Sequence, residues 1–374
     1  MSRPPVFSQT PFAGALASSR DSGRLLVVDA TASWCQPCQV MDRTTWVDPT
    51  VVAWLGEHAV SLQVDVDQEK ETAAFLRVKA MPSVIAFRAG IEVDRVVGMR
   101  GPADLLLWLE GLLRGETSAD QVRRAAAATP DDMQARYGLA RTLLTSRRFE
   151  EATEEYVWLW HHILEKDPAF VGVRGSYMLA DIRTLIAEHA PARVRFTEVR
   201  DAIGPDGAAM TVTPDEVRDW IQLTRTLGQD DVVLRWFAKH REALVARSEK
   251  EWALAGELVS VLTEHGQWAD AAPLFRDPIE SLRRRQRALD ATRVGALPAS
   301  MESHRAMMIA AEEQLLRDAA AVTVASFLAA GRSADASEVA DEVRRLLPGE
   351  QTEQALADRA SAAGFSLARV TDRS

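Results

Sequence analysis

The sequence of 374 residues contains only two cysteines and fewer basic than acidic residues. The first fact argues against a disulfide-stabilised scaffold, and the second against a nucleic-acid-binding protein. Its two cysteines, Cys35 and Cys38, cannot form a structural framework, because a bridge that closes so short a loop adds little stability. Lys and Arg number 44 against 54 Asp and Glu, and the net charge of -10 argues against nucleic acid as the main partner. No segment approaches the roughly 20 apolar residues of a membrane-spanning helix, so no membrane partner is predicted.

Two targeting and cofactor signals are also missing. The first residues, Met1 to Ser8, include two prolines and no apolar stretch, so we expect no secretory signal and a cytoplasmic location. The chain has no Gly-rich dinucleotide fingerprint, so no bound cofactor is predicted.

The length predicts two or three domains. Strands alternate with helices as far as Arg114, Gly115 to Ser118 form a short polar linker, and no convincing strand follows. We therefore predict an α/β domain at residues 1–114, a linker at 115–118 and an all-α domain at 119–374.

The two cysteines lie three residues apart, which is the spacing of a redox pair or of half a metal site. A zinc site would need two further ligands, and the seven histidines show no second cluster at ligand spacing. Adjacent His161 and His162 point to different faces of a helix and are poor joint ligands. The spacing therefore favours redox chemistry over metal binding.

Several segments of the first domain have a buried, strand-forming or helix-capping pattern. Leu25 to Val28 is a wholly apolar run, typical of a strand that is buried on both faces. Thr10 and Pro11 predict the cap and first residue of a helix that ends near Gly23. The remaining predicted strands are Val60 to Val66, Ser83 to Phe87 and Glu92 to Val97, and the remaining predicted helices are Cys38 to Trp46, Pro49 to Glu57, Glu69 to Phe75 and Pro102 to Leu113.

Three motifs in this domain resemble the thioredoxin family in order and spacing. LLVVDATASWCQPC, from Leu25 to Cys38, resembles the active-site segment of thioredoxins. KAMPSVIAF, from Lys79 to Phe87, resembles the segment that carries their cis-proline, and Val97-Gly98 resembles the glycine before the last helix. MDRTTWVDPTVVAWL, from Met41 to Leu55, is closer to the C-terminal domain of membrane thiol–disulfide interchange proteins. The resemblance covers roughly Pro11 to Arg114.

The chemistry of a redox dithiol explains the residue types at the Cys pair. Only the thiolate attacks a disulfide, and free Cys has a pKa near 8.5. A position just before a helix lowers the pKa of Cys35, because unpaired backbone N–H groups and the helix dipole stabilise its anion. We therefore predict an exposed Cys35 as the nucleophile and Cys38, one turn further on, as the resolving thiol.

The resemblance implies roles for six more residues. Asp29 matches the buried carboxylate that exchanges a proton with the resolving thiol, although it could instead be a merely hydrogen-bonded strand residue. Met81-Pro82 matches the cis peptide that leaves the backbone before proline free to pair with substrate; the alternative is an ordinary trans proline. Trp34 and Pro37 flank the Cys pair, where Pro37 restrains the turn, and Gly98 completes the predicted substrate surface.

Two positions depart from the thioredoxin pattern. Gln36 replaces the glycine between the cysteines, which is expected to shift the reduction potential and narrow access. Gln63 stands where thioredoxins usually place a lysine near the buried carboxylate, which removes a positive charge and alters the titration of Asp29.

Three windows in the second half resemble the tetratricopeptide repeat, in which a small residue lets two antiparallel helices approach closely. They run from Ala135 to Tyr156, Leu258 to Phe275 and Val324 to Pro348, with Ala152, Ala271 and Ala336 at the small position. Between the first two windows the period is lost; Thr213 and Pro214 predict a helix start, Val232 to Arg247 a helix, and Phe196 to Met210 a loop. Irregular repeats and a divergent helical solenoid both fit this pattern.

Six tryptophans in the second half are expected in the core rather than in a peptide-binding groove. They are Trp158, Trp160, Trp220, Trp236, Trp252 and Trp268.

A thioredoxin-like domain followed by such repeats resembles the bacterial chaperedoxins. This resemblance implies a cytoplasmic protein disulfide reductase that acts on clients with disulfides or oxidised cysteines recruited by the helical domain. Its electrons would come from a separate enzyme such as a thioredoxin reductase. The alternative is a redox-independent holdase or interaction scaffold that uses the first domain for docking.

Overall fold

The computed structural model describes residues 3–204, 213–246, 255–295, 302 and 304–366. By packing, the chain divides into two compact units, Met1–Phe196 and Thr197–Ser374. The first unit therefore contains the α/β part together with the helices that follow it.

A four-stranded mixed sheet lies in the first unit, in the order β2-β1-β3-β4. β1 runs parallel to β2 and antiparallel to β3, and β3 runs antiparallel to β4. The strands are β1 (Leu25–Thr31), β2 (Ala59–Asp65), β3 (Ser83–Arg88) and β4 (Ile91–Val97).

The helices of this unit follow the predicted alternation, and then continue beyond the sheet. They are α1 (Phe12–Ser22), α2 (Gln36–Thr44), α3 (Pro49–His58), α4 (Lys70–Phe75), α5 (Pro102–Leu113), α6 (Ser118–Ala128), α7 (Met133–Thr145), α8 (Phe149–Lys166), α9 (Val171–Val173) and α10 (Leu179–Glu188). A 3-10 turn at Pro168–Phe170 precedes α9, and a π-helical turn at Arg174–Met178 joins it to α10.

Local signals explain two helix starts. Asp48 caps α3, because its carboxylate accepts hydrogen bonds from the backbone N–H groups of Thr50 and Val51. The predicted cap of α1 is wrong: Pro11 occupies the cap position without a side-chain hydrogen bond, and the Thr10 hydroxyl accepts a hydrogen bond from Ser8 instead.

Both faces of the sheet are buried, as the apolar run of β1 predicts. Leu25 and Val27 pack on the side of α2, α3 and α5, whereas Leu26 and Val28 pack on the side of α1 and α4. Successive side chains of a strand point to opposite faces, so one short run supplies two core layers.

Buried Asp94 of β4 anchors the segment after α5 to the sheet. Its carboxylate accepts hydrogen bonds from the Trp108 indole (2.7 Å) and from the backbone N–H (2.6 Å) and hydroxyl (3.0 Å) of Ser118. Thr117 and Asp120 form a capping box at the start of α6. The end of the predicted linker is thus hydrogen-bonded to the sheet and buried at Ser118.

The described residues of the second unit form helices joined by short turns, and none of them forms a strand. Its helices are the end of Ala190–Ile203, followed by Pro214–Thr226, Asp230–Ala246, Ala255–Glu264, Trp268–Ala271, Pro278–Val294, Arg305–Ala329, Ser333–Leu346 and Glu350–Ala362. The predicted start at Thr213 is confirmed, since Thr213 and Glu216 form a capping box around Pro214. An α/β fold followed by an all-helical region is therefore the observed architecture, as predicted.

The predicted loop at Phe196 to Met210 is wrong for its first part. Residues up to Ile203 are helical, with Phe196 and Val199 buried, and the helix ends before Gly204, whose φ of 36° suits glycine. Gly204, Pro205 and Gly207 predicted a loop, but the residues before them form a helix because their apolar side chains recur at helical spacing and are buried. Residues 205–210 of this prediction lie outside the described residues.

The repeat windows place small residues where helices meet. Ala152, Ala271 and Ala336 are all fully buried. In the second window the helix that contains Ala271 lasts only four residues before a 3-10 turn that contains Pro273. The region thus fits a helical-repeat domain in general.

The tryptophans follow the core prediction where they are described. Trp160, Trp220, Trp236 and Trp268 are buried and Trp158 is partly buried, while Trp252 lies outside the described residues.

Candidate functional site

The redox centre is a disulfide between Cys35 and Cys38 at the start of α2. β1 ends at Thr31, and Cys35 is the cap residue of α2, with Cα atoms of the two cysteines 5.3 Å apart. The Cys35 sulfur accepts a hydrogen bond from the backbone N–H of Cys38 at 3.3 Å. A helix N-terminus therefore supplies a donor to the first sulfur, as an anion at this position requires.

The prediction that Cys35 is exposed is wrong for this oxidised state. The residue is only 4% exposed, because Ala32, Val66 and Met81 pack with the two cysteines in one small apolar cluster. Gln36 and Pro37, between the cysteines, are exposed instead.

Asp29 is buried in the middle of β1 and is joined to a second carboxylate by one amide. Gln63 of β2, its register partner, donates one hydrogen bond to Oδ2 of Asp29 and another to Oδ1 of Asp42, both at 2.9 Å. Oδ1 of Asp29 accepts no hydrogen bond from the described residues. Asp42 lies four residues after Cys38 in α2, and such pairs share one helix face. The amide of Gln63 therefore brings Asp29 close to the face of α2 that carries Cys38.

Burial raises the pKa of Asp29 from 3.8 to about 7, because the charged carboxylate is poorly solvated there. The hydrogen bond from Gln63 opposes this rise, and the neighbouring Asp42 charge adds to it. Burial also raises the pKa of Asp42, again against the Gln63 hydrogen bond. A group with a pKa near 7 can both take up and release a proton near neutral pH.

The predicted substrate surface forms around the Cys pair. The Met81-Pro82 peptide bond is cis, as predicted, and Met81 packs against the cysteine cluster. Gly98, with a φ of 93°, donates its backbone N–H to the carbonyl of Pro82 at 2.8 Å. Trp34 is 64% exposed, and its indole N–H donates to Oδ2 of Asp67 at 2.9 Å. These side chains and backbone groups therefore lie at one end of the sheet together with the disulfide.

Two polar residues of this site were not predicted from the sequence. Asp42 had a usable signal, since it lies one helical turn after Cys38 on the same helix face. Asp67, which holds the Trp34 indole, had none, because it lies 33 residues away on a turn after β2.

Comparisons with known proteins match the first domain. A family model described as thioredoxin-like matches residues 9–89. A thioredoxin H-type of Fagopyrum esculentum is 44% identical over 82 residues, which cover 22% of this chain and 67% of the relative. A thioredoxin of Chlamydia trachomatis is 33% identical over 103 residues, which cover 27% of this chain and 90% of the relative. Among solved structures, a thioredoxin from Thermus thermophilus is 31% identical, with a TM-score of 0.26, and the match covers 28% of this chain and 84% of that one.

The sheet, the cysteine disulfide at a helix start and the relatives support a thiol–disulfide oxidoreductase in general. Through its first domain, the chain belongs to the thioredoxin family. These four matches leave the greater part of the helical region uncovered. In the described part of the chain, no helix is both long and apolar enough to cross a membrane.

Proposed function

We propose that this protein is a cytoplasmic protein disulfide reductase that works through the Cys35/Cys38 dithiol. The observation that carries the proposal is the disulfide at the start of α2, together with a buried carboxylate in β1 whose pKa is about 7. The H-type thioredoxin and the bacterial thioredoxin among its relatives support the same chemistry.

The reaction transfers two electrons from the dithiol to a client disulfide. The thiolate of Cys35 attacks one client sulfur, so a Cys35–client S–S bond forms and the other client sulfur leaves as a thiolate, which takes a proton from water. Cys38, once deprotonated, attacks the Cys35 sulfur. The Cys35–Cys38 disulfide then forms, and the second client sulfur leaves as a thiolate. The oxidised pair is reduced again by a separate reductase, for which thioredoxin reductase is our candidate.

Asp29 is the proposed base for the second step. A carboxylate with a pKa near 7 can accept the proton of the Cys38 thiol at neutral pH, and it returns the proton when the disulfide is next reduced. Gln63 restrains the pKa of both Asp29 and Asp42, because its amide donates to each of them.

Trp34, Pro37, Met81, Pro82 and Gly98 are the proposed substrate surface. Trp34 and Pro37 are exposed next to or within the Cys motif, and Met81 packs against the two cysteines. An extended client segment that crosses this surface would bring its disulfide to Cys35.

The helical region is proposed to recruit clients or a partner protein, as the resemblance to tetratricopeptide repeats and chaperedoxins implies. Its support is the stacking of helices on small residues such as Ala152 and Ala336. We expect neither nucleic acid nor a membrane as a partner, on the strength of the net charge of -10 and the sequence pattern.

The test is reduction of insulin in the presence of dithiothreitol by the wild type, Cys35→Ser and Cys38→Ser. We expect the wild type to accelerate reduction, Cys35→Ser to lose the acceleration, and Cys38→Ser to accumulate a mixed disulfide with the substrate. No acceleration by folded wild type would contradict the proposal.

The holdase alternative is separated by a second assay on the same variants. Suppression of aggregation of a thermally unfolded protein should survive in Cys35→Ser if holding belongs to the helical region. If the wild type suppresses aggregation but does not reduce disulfides, the protein is a redox-independent holdase or scaffold and not a reductase.

A further inference from the structure

Two arginines lie in left-handed backbone turns on neighbouring parts of the first unit. Arg77 follows α4 with a φ of 51°, and Arg147 lies in the turn between α7 and α8 with a φ of 63°. Glycine or asparagine adopts this conformation more easily than arginine does. The backbone conformation of these turns therefore does not explain why arginine occupies both positions, so the reason must lie in the two side chains.

A chain of contacts brings the two turns together. The guanidinium of Arg147 lies over the Phe149 ring at 5.3 Å, and Phe149 stacks on His189 with ring centroids 5.9 Å apart. Glu188, next to His189, forms an ion pair with Lys79, which is two residues after Arg77. The end of α10 therefore connects the α7–α8 turn to the loop between α4 and β3.

The other cations of this surface already have partners. Arg95 of β4 is buried, pairs with Glu92 at 2.6 Å and donates to the carbonyl of Leu76 at 3.0 Å. Lys79 is paired with Glu188. Glu150, on the same side, lies 3.8 Å from His189 and is largely exposed.

Arg77 and Arg147 form no ion pair with any residue in the described ranges. Arg77 is exposed and Arg147 is half-buried, so both can be reached from solvent. Partial burial lowers the pKa of Arg147, and the nearby charges of Arg77 and Arg95 lower it further, whereas the charges of Glu92 and Glu188 oppose this change. Glu92 and Glu188 already pair with Arg95 and Lys79, so a further carboxylate that binds between Arg77 and Arg147 would stabilise these two guanidinium groups.

Arg77 of this basic pair lies close to the proposed substrate surface. Met81 is four positions after Arg77, so their Cα atoms are at most about 14 Å apart. Met81 packs against the Cys pair. A client segment that passes over Met81 would reach the two arginines within a few residues of its disulfide.

We propose that Arg77 and Arg147 bind acidic residues that flank the target disulfide of a client polypeptide. The inference rests on the proposed function and names its substrate class: disulfides with carboxylates a few residues away. Arginine suits this task because its planar fork binds carboxylates in a bidentate manner. The rest of the chain carries net negative charge, so the preference would depend on this local basic pair.

The test compares two peptide disulfides that differ only in four flanking residues, Glu in one and Gln in the other. The wild type should reduce the Glu peptide with a kcat/KM roughly three to ten times that for the Gln peptide, as expected for two partly exposed ion pairs. Raising the salt concentration should reduce this ratio, because salt screens the ion pairs. This test needs only the wild type. Arg77→Gln, Arg147→Gln and their combination should bring the ratio towards one.

Arg24→Gln is the matched control, because it removes the same charge at the start of β1, beside the carbonyl of Gly56. It should keep the wild-type ratio. If the wild type reduces both peptides equally, or the double variant keeps the ratio, the inference is wrong and the reductase proposal stands. If the wild type reduces neither peptide, the proposed function fails, and this inference fails with it.

Discussion

Replacing Asp29 by Asn should stabilise the oxidised protein, and the gain should grow as the pH rises. Asp29 is fully buried, and its pKa rises from 3.8 to about 7 on folding because its charge is poorly solvated. Between these values the folded state holds a proton that the unfolded state has released. Stability therefore falls with rising pH in the wild type, and the loss is complete above pH 7.

The magnitude follows from the size of the pKa shift. At 1.36 kcal/mol per pKa unit, a rise from 3.8 to about 7 destabilises the wild type by about 4 kcal/mol at high pH. About 3 kcal/mol of this develops between pH 5 and pH 9. Any packing or hydrogen-bonding cost of the asparagine is constant with pH, so the change with pH isolates the carboxylate.

The assay is urea unfolding without reductant at pH 5, 7 and 9, followed by hydrogen exchange and mass spectrometry of peptides from β1. These peptides report the unit that contains Asp29, even if the helical unit unfolds separately. Asp21→Asn makes the same chemical change on an exposed residue of α1 and should show no pH-dependent gain. A stability difference between wild type and Asp29→Asn that stays constant from pH 5 to pH 9 would refute the reasoning.

Two further substitutions test other parts of the first unit. Gln63→Leu removes the hydrogen bond that lowers the pKa of Asp29, so the pH profile of disulfide reduction should move to higher pH; an unchanged profile would argue against Asp29 as the base. Asp94→Ala leaves the Trp108 indole N–H and the Ser118 backbone N–H without their acceptor, and should lower the free energy of unfolding by roughly 2–5 kcal/mol in urea titrations. A loss below 1 kcal/mol would mean that water or a neighbour replaces the carboxylate.

Local patterns were enough to predict most of the sheet and its helices. The apolar run at Leu25 predicted a strand with both faces buried, although the strand continues three residues further, to Thr31. Pro49 and the Thr213-Pro214 pair predicted two helix starts, and the caps observed at Asp48 and Thr213 explain them, because a cap is satisfied by residues within one turn. Where local signals competed, prediction failed, as at Thr10 and in the segment that ends at Ile203.

The redox centre could also be predicted from a local pattern. Cys35, Pro37 and Cys38 lie within one helical turn, so their spacing, together with the lack of a second ligand cluster in the sequence, predicted a redox pair at a helix start. The burial of the two cysteines could not be predicted in this way, because Met81 and Val66, which pack against the disulfide, belong to segments that are distant in sequence.

What the sequence determined by itself is therefore the order of strands and helices and the chemistry of one short motif, since both depend on neighbours along the chain. Only the tertiary structure decided that Gln63 joins Asp29 to Asp42, and that Asp94 ties the start of α6 to β4. Each of these contacts links residues more than 20 positions apart. Hydrogen bonds and desolvation act over a few ångströms of space, and the distance between such residues exists only after the chain has folded.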